Sequence, residues 1–398
     1  MSSLTVEAIG AQGDGIVRDG EHTLHVPKVL PGEVIEKKQP TGWNILTPSP
    51  QRVAPFCKHY AACGGCRLQH WQPEPYAAWK QQLVVDALAA QGLHVDVAPI
   101  IDAHGLGRRR VALHVRQKGT WSAGFMEQKS HDLCAIDHCP ILVPALVDVT
   151  SMAAAFGPSL GACDVAVTAT NTGLDVAIKA ERKAVPRRME SIIAIAREHQ
   201  LARLSVNGDV LVTLSAPAVT MGKSTVNVPV QSFLQATEKG EATLSDLVLG
   251  HLAGAKNVAD LFCGLGPFAL RIAEHRRVAA YDSDRPAIDA LKFAVRNTQG
   301  LKPVHAEARN LFKAPLIAAE LKEHDAIVFD PPRAGAEAQA REIAKSKIKR
   351  VVAVSCNAST FARDAAILAE GGYALKSVQP VDQFKYSAHV EIVALFQR

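Results

Sequence analysis

Aromatic residues are scarce in this chain: Phe, Trp and Tyr supply 5% of 398 residues. Any platform that stacks nucleic-acid bases must therefore be small. Long apolar runs are missing as well. No stretch approaches about 18 continuous apolar residues without a charge or a breaker, so no membrane span is predicted. The shorter runs 142–156 and 245–255 read as core helices. A strong excess of one charge is also lacking. A net charge of +5 permits a nucleic-acid partner without demanding one. The short basic runs Arg108 to Arg110, Arg187-Arg188, Arg276-Arg277 and Lys345 to Arg350 each read first as solvated faces. There is no internal repeat, no low-complexity tract and no signal-peptide pattern. What remains is ordinary globular composition, 48% hydrophobic and 21% charged, with length for two or three domains.

Cysteine is not scarce, and its placement is uneven. Half of the eight cysteines fall into one pattern, C-x5-C-x2-C-x72-C, made by Cys57, Cys63, Cys66 and Cys139. Three thiolates close together and a distant fourth suit one soft metal centre. An iron–sulfur cluster and a structural zinc both fit the spacing. The tight C-G-G-C turn lets backbone amides point at sulfur, which favours thiolate. Clustered cysteines without a signal peptide argue for a reducing compartment, and a cytoplasmic protein is expected.

Residues 1–50 read as a small all-β unit, with short apolar runs split by Gly and Pro turns. A five-stranded oligonucleotide-binding barrel fits, and any small β-barrel is the plainer alternative. Residues 51–235 form a central region of mixed strands and helices that carries the cysteine loop. A helix is predicted over 76–92, with Leu83, Val84, Ala87 and Leu88 on one face. From residue 236 to 398 strands alternate with helices, as in a doubly wound, mostly parallel sheet of the Rossmann-like kind. The overall class is α/β.

The first strand-to-helix turn of that region reads D-L-F-C-G-L-G-P-F from Asp260 to Phe268. Gly264 and Gly266 let the backbone approach a ligand. Asp282 ends the next strand, where an acid can accept both hydroxyls of a ribose. The turn is not G-x-G-x-x-G, so a pyrophosphate cradle is poorly supported. An adenosyl cofactor without phosphates, S-adenosylmethionine, fits better.

Two further groups stand at strand ends. Ser355-Cys356-Asn357 follows an apolar strand, and Glu391 begins the last one. The helix start near Ser359 is predicted to favour a Cys356 thiolate. A Cys–Glu pair beside a methyl donor has a specific use. Carbon 5 of uracil is too weak a nucleophile to take a methyl group directly. A thiolate that adds to carbon 6 creates an enolate, and a base later removes the carbon 5 proton. Cys356 is the nucleophile and Glu391 the base in this reading.

With these residues in view, the chain resembles the RNA uracil-5-methyltransferases, in their iron–sulfur-containing branch best known for 23S ribosomal RNA. The matching text includes Phe233-Leu234-Gln235, Asp260 to Gly266, Asp330 to Gly335, Ser355 to Asn357 and His389 to Glu391. The resemblance runs over almost the whole chain. It implies an N-terminal TRAM barrel, a central domain, a class I methyltransferase domain and a [4Fe–4S] cluster on Cys57, Cys63, Cys66 and Cys139. Cys134 is the nearby rival, but Cys139 to Leu142 matches the family text. It also implies that Gln235, Phe262, Asp282 and Asp330 contact cofactor or target base, and that Arg333 reaches a phosphate or the uracil. The expected partner is RNA, with 23S ribosomal RNA favoured over tRNA. No membrane partner is expected, and the chain is expected to be a monomer.

Departures from the family pattern are few. Pro267 replaces a usual Asn. The D-x-F-P-x-T-G-H stretch reads D-Q-F-K-Y-S-A-H from Asp382 to His389, so Lys385 and Ala388 alter the loop. They leave room for a non-catalytic RNA-binding or assembly factor. An amino-group methyltransferase is a third reading of Asp330-Pro331-Pro332, but Arg333 stands where such enzymes carry an aromatic.

Overall fold

The computed structural model describes residues 3–38, 42–181 and 185–398. Alternating apolar positions in Leu4–Ile9, Gly15–Asp19, His22–Val26, Val34–Lys37 and Trp43–Thr47 build a five-stranded antiparallel sheet. It encloses a small core of Val6, Val17, Val26, Val29 and Ile35. Gly15 is required by closeness: a Cβ there would lie 2.4 Å from Val29.

A second sheet has seven strands. Its middle is Cys163–Thr170, with Arg110–Lys118 on one side and Gly173–Lys179 on the other. The helices Val149–Ala155 and Met189–Glu198 contribute to its core. The run 142–156 is thus not one helix. Pro144 opens a short 3-10 turn, Pro144–Leu146, and the helix starts only after it. Of the run 245–255, only residues 245–251 are helical, as the end of the helix Glu238–His251.

The C-terminal sheet has eight strands and positions the site. Its spatial order is Val304–Ala308, Arg277–Asp282, Asn257–Leu261, Ala326–Phe329, Arg350–Ser355, Glu391–Gln397, Ala374–Asp382 and Ile101–Asp102. The first five strands are parallel, and Glu391–Gln397 enters antiparallel. Side chains alternate between two apolar cores. Val258, Val328, Val352 and Val354 face one, while Ala259, Ile327, Val351 and Ala353 face the other. Burial on both faces explains the unbroken apolar strands. Chain order reverses between Asn257–Leu261 and Ala326–Phe329, which opens a crevice beyond their carboxyl ends.

Two segments from far upstream join this sheet. The helix Pro73–Ala89 places Val84 and Leu88 in its core. Ile101–Asp102 pairs in parallel with Val381 and Asp382. The hairpin Ala218–Met221 with Ser224–Asn227 packs Val219, Met221 and Val226 on the opposite face. Among the described residues, no helix is long and apolar enough to cross a membrane.

Candidate active site

The strand Asn257–Leu261 ends in a sharp turn. Phe262 and Gly264 adopt φ of 63° and 51°, and Gly266 adopts 87° as the N-cap of the helix Pro267–Ala273. Pro267 is the first helical residue, where a missing N–H does no harm. The turn is tied to the neighbouring strand, since Gly264 N donates to Asp282 Oδ2 at 2.8 Å. Asp282 Oδ1 accepts from Asp284 N at 2.8 Å.

One cleft collects most of the sequence-predicted residues. Gln235, Phe262, Gly264, Asp282, Asp330, Cys356 and Glu391 all line it, with Arg333. Its non-protein space is about 1210 Å³, open to solvent. Gly266 does not line it. Its task is local: a Cβ there would lie 2.6 Å from Leu291. Sequence reasoning missed Phe312, whose ring stands 5.3 Å from that of Phe262 on the cleft wall. No periodic signal marks Phe312, because it sits in an irregular segment.

The cleft is acidic, and burial decides its protonation. Asp260 lies behind the turn with neither oxygen hydrogen-bonded, and burial lifts its carboxyl to about 8. Asp330 is pushed well up by burial and then by the nearby Glu391, Asp260 and Asp282. Glu391 is raised to about 7 by burial, against a hydrogen bond from Gln383 and the charge of Lys80. At neutral pH Glu391 therefore exchanges a proton readily.

Cys356 follows the strand Arg350–Ser355 directly. Asn357 caps the following helix, its Oδ1 accepting from Ser359 N at 3.0 Å. The predicted thiolate is not what the surroundings favour. Burial lifts the Cys356 thiol to about 11, with Glu391 and Asp330 adding to the rise and Arg333 opposing it. The helix N-terminus is outweighed by desolvation and two acids that no local sequence pattern places beside the sulfur. Arg333 Nη2 donates to His389 Nδ1 at 3.0 Å. His389 accepts because burial and Arg333 lower it to about 4, leaving it neutral.

The loop before Glu391 is held by a buried ion pair. Lys80 Nζ, on the helix Pro73–Ala89, donates to Asp382 Oδ1, to Phe384 O at 3.2 Å and to His389 O at 2.7 Å. Tyr76 OH donates to Asp382 Oδ2 at 2.9 Å. Replacing Lys80 by Met strands Asp382 in the core, and the expected loss is about 3–5 kcal/mol. Urea unfolding checks it. A loss below about 1 kcal/mol would show the pair to be dispensable.

The arginine run 108–110 is not a solvated face. Arg109 Nη2 donates to Glu241 Oε2 at 2.6 Å and its Nε to Gln235 O at 3.0 Å. Arg110 Nη1 donates to Leu234 O at 2.9 Å. Two adjacent arginines thus fasten the segment that carries Gln235. Lys385 is paired with Asp102.

The four patterned cysteines meet elsewhere. Cys57, Cys63, Cys66 and Cys139 line one cavity with Tyr60, Phe125 and Ile141, while Cys134 does not line it. Gly65 N donates to Cys63 Sγ at 3.3 Å. Burial raises Cys66 to about 11 and Cys139 to about 12, so burial by itself favours the protonated thiols. Among the described residues, no group of three His, Cys, Asp or Glu side chains is arranged to hold a metal ion. The all-sulfur donor set around one cavity is the feature that suits an iron–sulfur group.

Comparison with known proteins gives this geometry a family. The model of the tRNA (uracil-5-)-methyltransferase family matches residues 223–398. An uncharacterized RNA methyltransferase of Brucella suis is 45% identical over 99% of this chain and 97% of its own length. One of Caulobacter vibrioides is 44% identical over the full length of both. A 23S rRNA (uracil(1939)-C(5))-methyltransferase of Halomonas elongata is 29% identical over 99% of this chain and 89% of its own length. In fold, the chain matches the Pyrococcus abyssi tRNA (uracil-54, C5)-methyltransferase, solved with S-adenosyl-L-homocysteine. That match has a TM-score of 0.75 and 19% identity, and covers 99% of this chain and 100% of that one. The chain belongs to the RNA uracil-5-methyltransferase family.

Proposed function

We propose that this protein methylates carbon 5 of a uridine in RNA, with Cys356 as nucleophile and Glu391 as base. The observation that carries the reading is one cleft shared by Cys356, Glu391, Gln235 and Arg333 with the glycine turn and Asp282. S-Adenosylmethionine, when bound, supplies a methyl group on a cationic sulfur. Asp282, Gly264 and the Phe262–Phe312 wall are the residues to hold its adenosyl part. Asp330 and Glu391 line the same cleft, and a cation bound there would favour the ionised forms that burial opposes.

Cys356 Sγ gives its proton to water in the open cleft and bonds to carbon 6 of the pyrimidine. The electron pair of the 5,6 double bond moves onto the ring carbonyl, and Arg333, which lines the same cleft, is the cation available to oppose the charge. Once carbon 5 is methylated, Glu391 takes the carbon 5 proton. The electrons of that C–H bond rebuild the double bond and expel Cys356 Sγ. A Glu391 carboxylate that titrates near pH 7 is a stronger base for this task than an ordinary exposed carboxylate.

Cys57, Cys63, Cys66 and Cys139 are the residues to hold a [4Fe–4S] cluster. The support is their shared cavity and their purely thiol chemistry. Held by these four residues, a cluster would tie the loop to the central sheet and would have a structural role. The four cysteines would hold such a cluster as thiolates, the form that burial alone opposes.

Ribosomal RNA of the large subunit is the favoured substrate, on the likeness to the Halomonas elongata protein. The tRNA reading rests on the matched family model. Nucleoside mapping of RNA from cells lacking the protein decides between them. One 5-methyluridine should disappear from 23S rRNA, and purified protein should restore it. Loss from tRNA alone would move the substrate. Loss from neither would defeat the reading.

A further inference from the structure

Gln383 lies in the stretch where this chain departs from the family pattern. It is fully buried, yet every polar atom of its side chain is used. Its Oε1 accepts from Ala236 N at 3.0 Å. Its Nε2 donates to Gln235 Oε1 at 2.6 Å and to Glu391 Oε1 at 3.0 Å. Gly240 makes room for it, since a Cβ there would lie 2.7 Å from Gln383 Oε1.

The backbone amide fixes which way this network runs. An N–H only donates, so the Gln383 atom facing Ala236 is the oxygen. The other end is an NH2 group, and both of its hydrogens are taken. The Gln235 atom that meets it must accept, so it is the oxygen. The NH2 group of Gln235 is therefore the end left over, and Gln235 lines the cleft. Glu391 Oε1 already accepts from Gln383, so Oε2, which takes no hydrogen bond from it, is the freer oxygen to take a proton.

We propose that Gln383 is a positioning residue with two effects: it presents Gln235 to the target pyrimidine as a hydrogen-bond donor, and it leaves Glu391 Oε2 as the proton acceptor. The assignment rests on the uridine reading above. A fixed donor matches the position-4 carbonyl of uracil. Cytosine carries an amino group there, and two donors would face each other without an acceptor. Discrimination then comes from an amide that cannot rotate. The charged groups around Glu391 are Lys80 from the helix Pro73–Ala89, Asp330 after Ala326–Phe329 and Cys356 after Arg350–Ser355. Removing Gln383 leaves these in place and takes away one donor that favours the carboxylate.

The test compares wild-type protein with Gln383→Leu, and with Gln383→Met should the leucine variant fail to fold. Two oligoribonucleotides serve as probes, identical except for uridine or cytidine at the methylated position. The acid limb of the rate is expected to move up by about one pH unit, because a base that protonates more easily needs higher pH to work. Raising the pH should recover most of the rate. The preference for binding the uridine probe should fall by about tenfold or more. A folded variant with the limb and the preference unchanged would overturn the proposal. So would an equal loss of rate at every pH with the preference intact, which is the mark of mere structural damage. Wild-type protein that leaves the uridine probe unmethylated would instead sink the underlying reading, and this assignment with it.

Discussion

Replacing Cys356 by Ala is expected to reduce methyl transfer to RNA by on the order of 10⁴-fold or more. The size follows from the chemistry. Without a bond to carbon 6 there is no enolate, and carbon 5 stays a poor nucleophile. No other thiol is suited to substitute. Cys263 also lines the cleft, but burial, and then the nearby Asp260 and Asp282, push its thiol well up. The variant should fold, because Cys356 is only partly buried at a strand end and Asn357 keeps the helix cap. Transfer of labelled methyl groups measures the loss. Activity within about tenfold of wild type would leave the sulfur without a covalent role.

Replacing Glu391 by Gln should act at a later step. Gln has nearly the same shape, and its amide oxygen still accepts from Gln383. Carbon 6 addition and methylation then proceed, but the carbon 5 proton has no base. Turnover is expected to fall by about 10²- to 10⁴-fold while a covalent protein–RNA species accumulates on denaturing gels. The wild-type rate carries the matching sign. Burial raises Glu391 to about 7, and the base works ionised, so the rate should climb with pH through that value. A Glu391→Gln protein that turns over slowly without trapping RNA would assign the proton to another group. A rate flat from pH 5.5 to 8.5 would do the same.

The cleft was legible in the sequence because its residues sit where strands end. In a parallel sheet buried on both faces, apolar runs locate the strands, and the polar residue after each run is the one at the crevice. Asp282, Asp330 and Cys356 follow that rule. The supports were not legible. Lys80 looks like any lysine on a helix, and its partner Asp382 lies 302 residues away. Arg109 sits in a basic run that reads as surface, and only the packed structure shows it closing on Glu241. Pairing of Ile101–Asp102 with the far C-terminal strand likewise leaves no local trace. The protonation of Cys356 failed to follow from its own helix for the same reason. The acids beside it come from two other strands, and their field is a property of the assembled cleft.

Covalent capture by RNA carrying 5-fluorouridine at the methylated position tests the central claim most directly. Fluorine at carbon 5 does not leave as a proton does, so methylation strands the enzyme on the base. Peptide mapping of wild-type protein after the reaction should find one methylated 5-fluorouridine adduct, on the peptide that holds Cys356. An adduct on another residue, or methylated RNA released with no adduct at all, would contradict it.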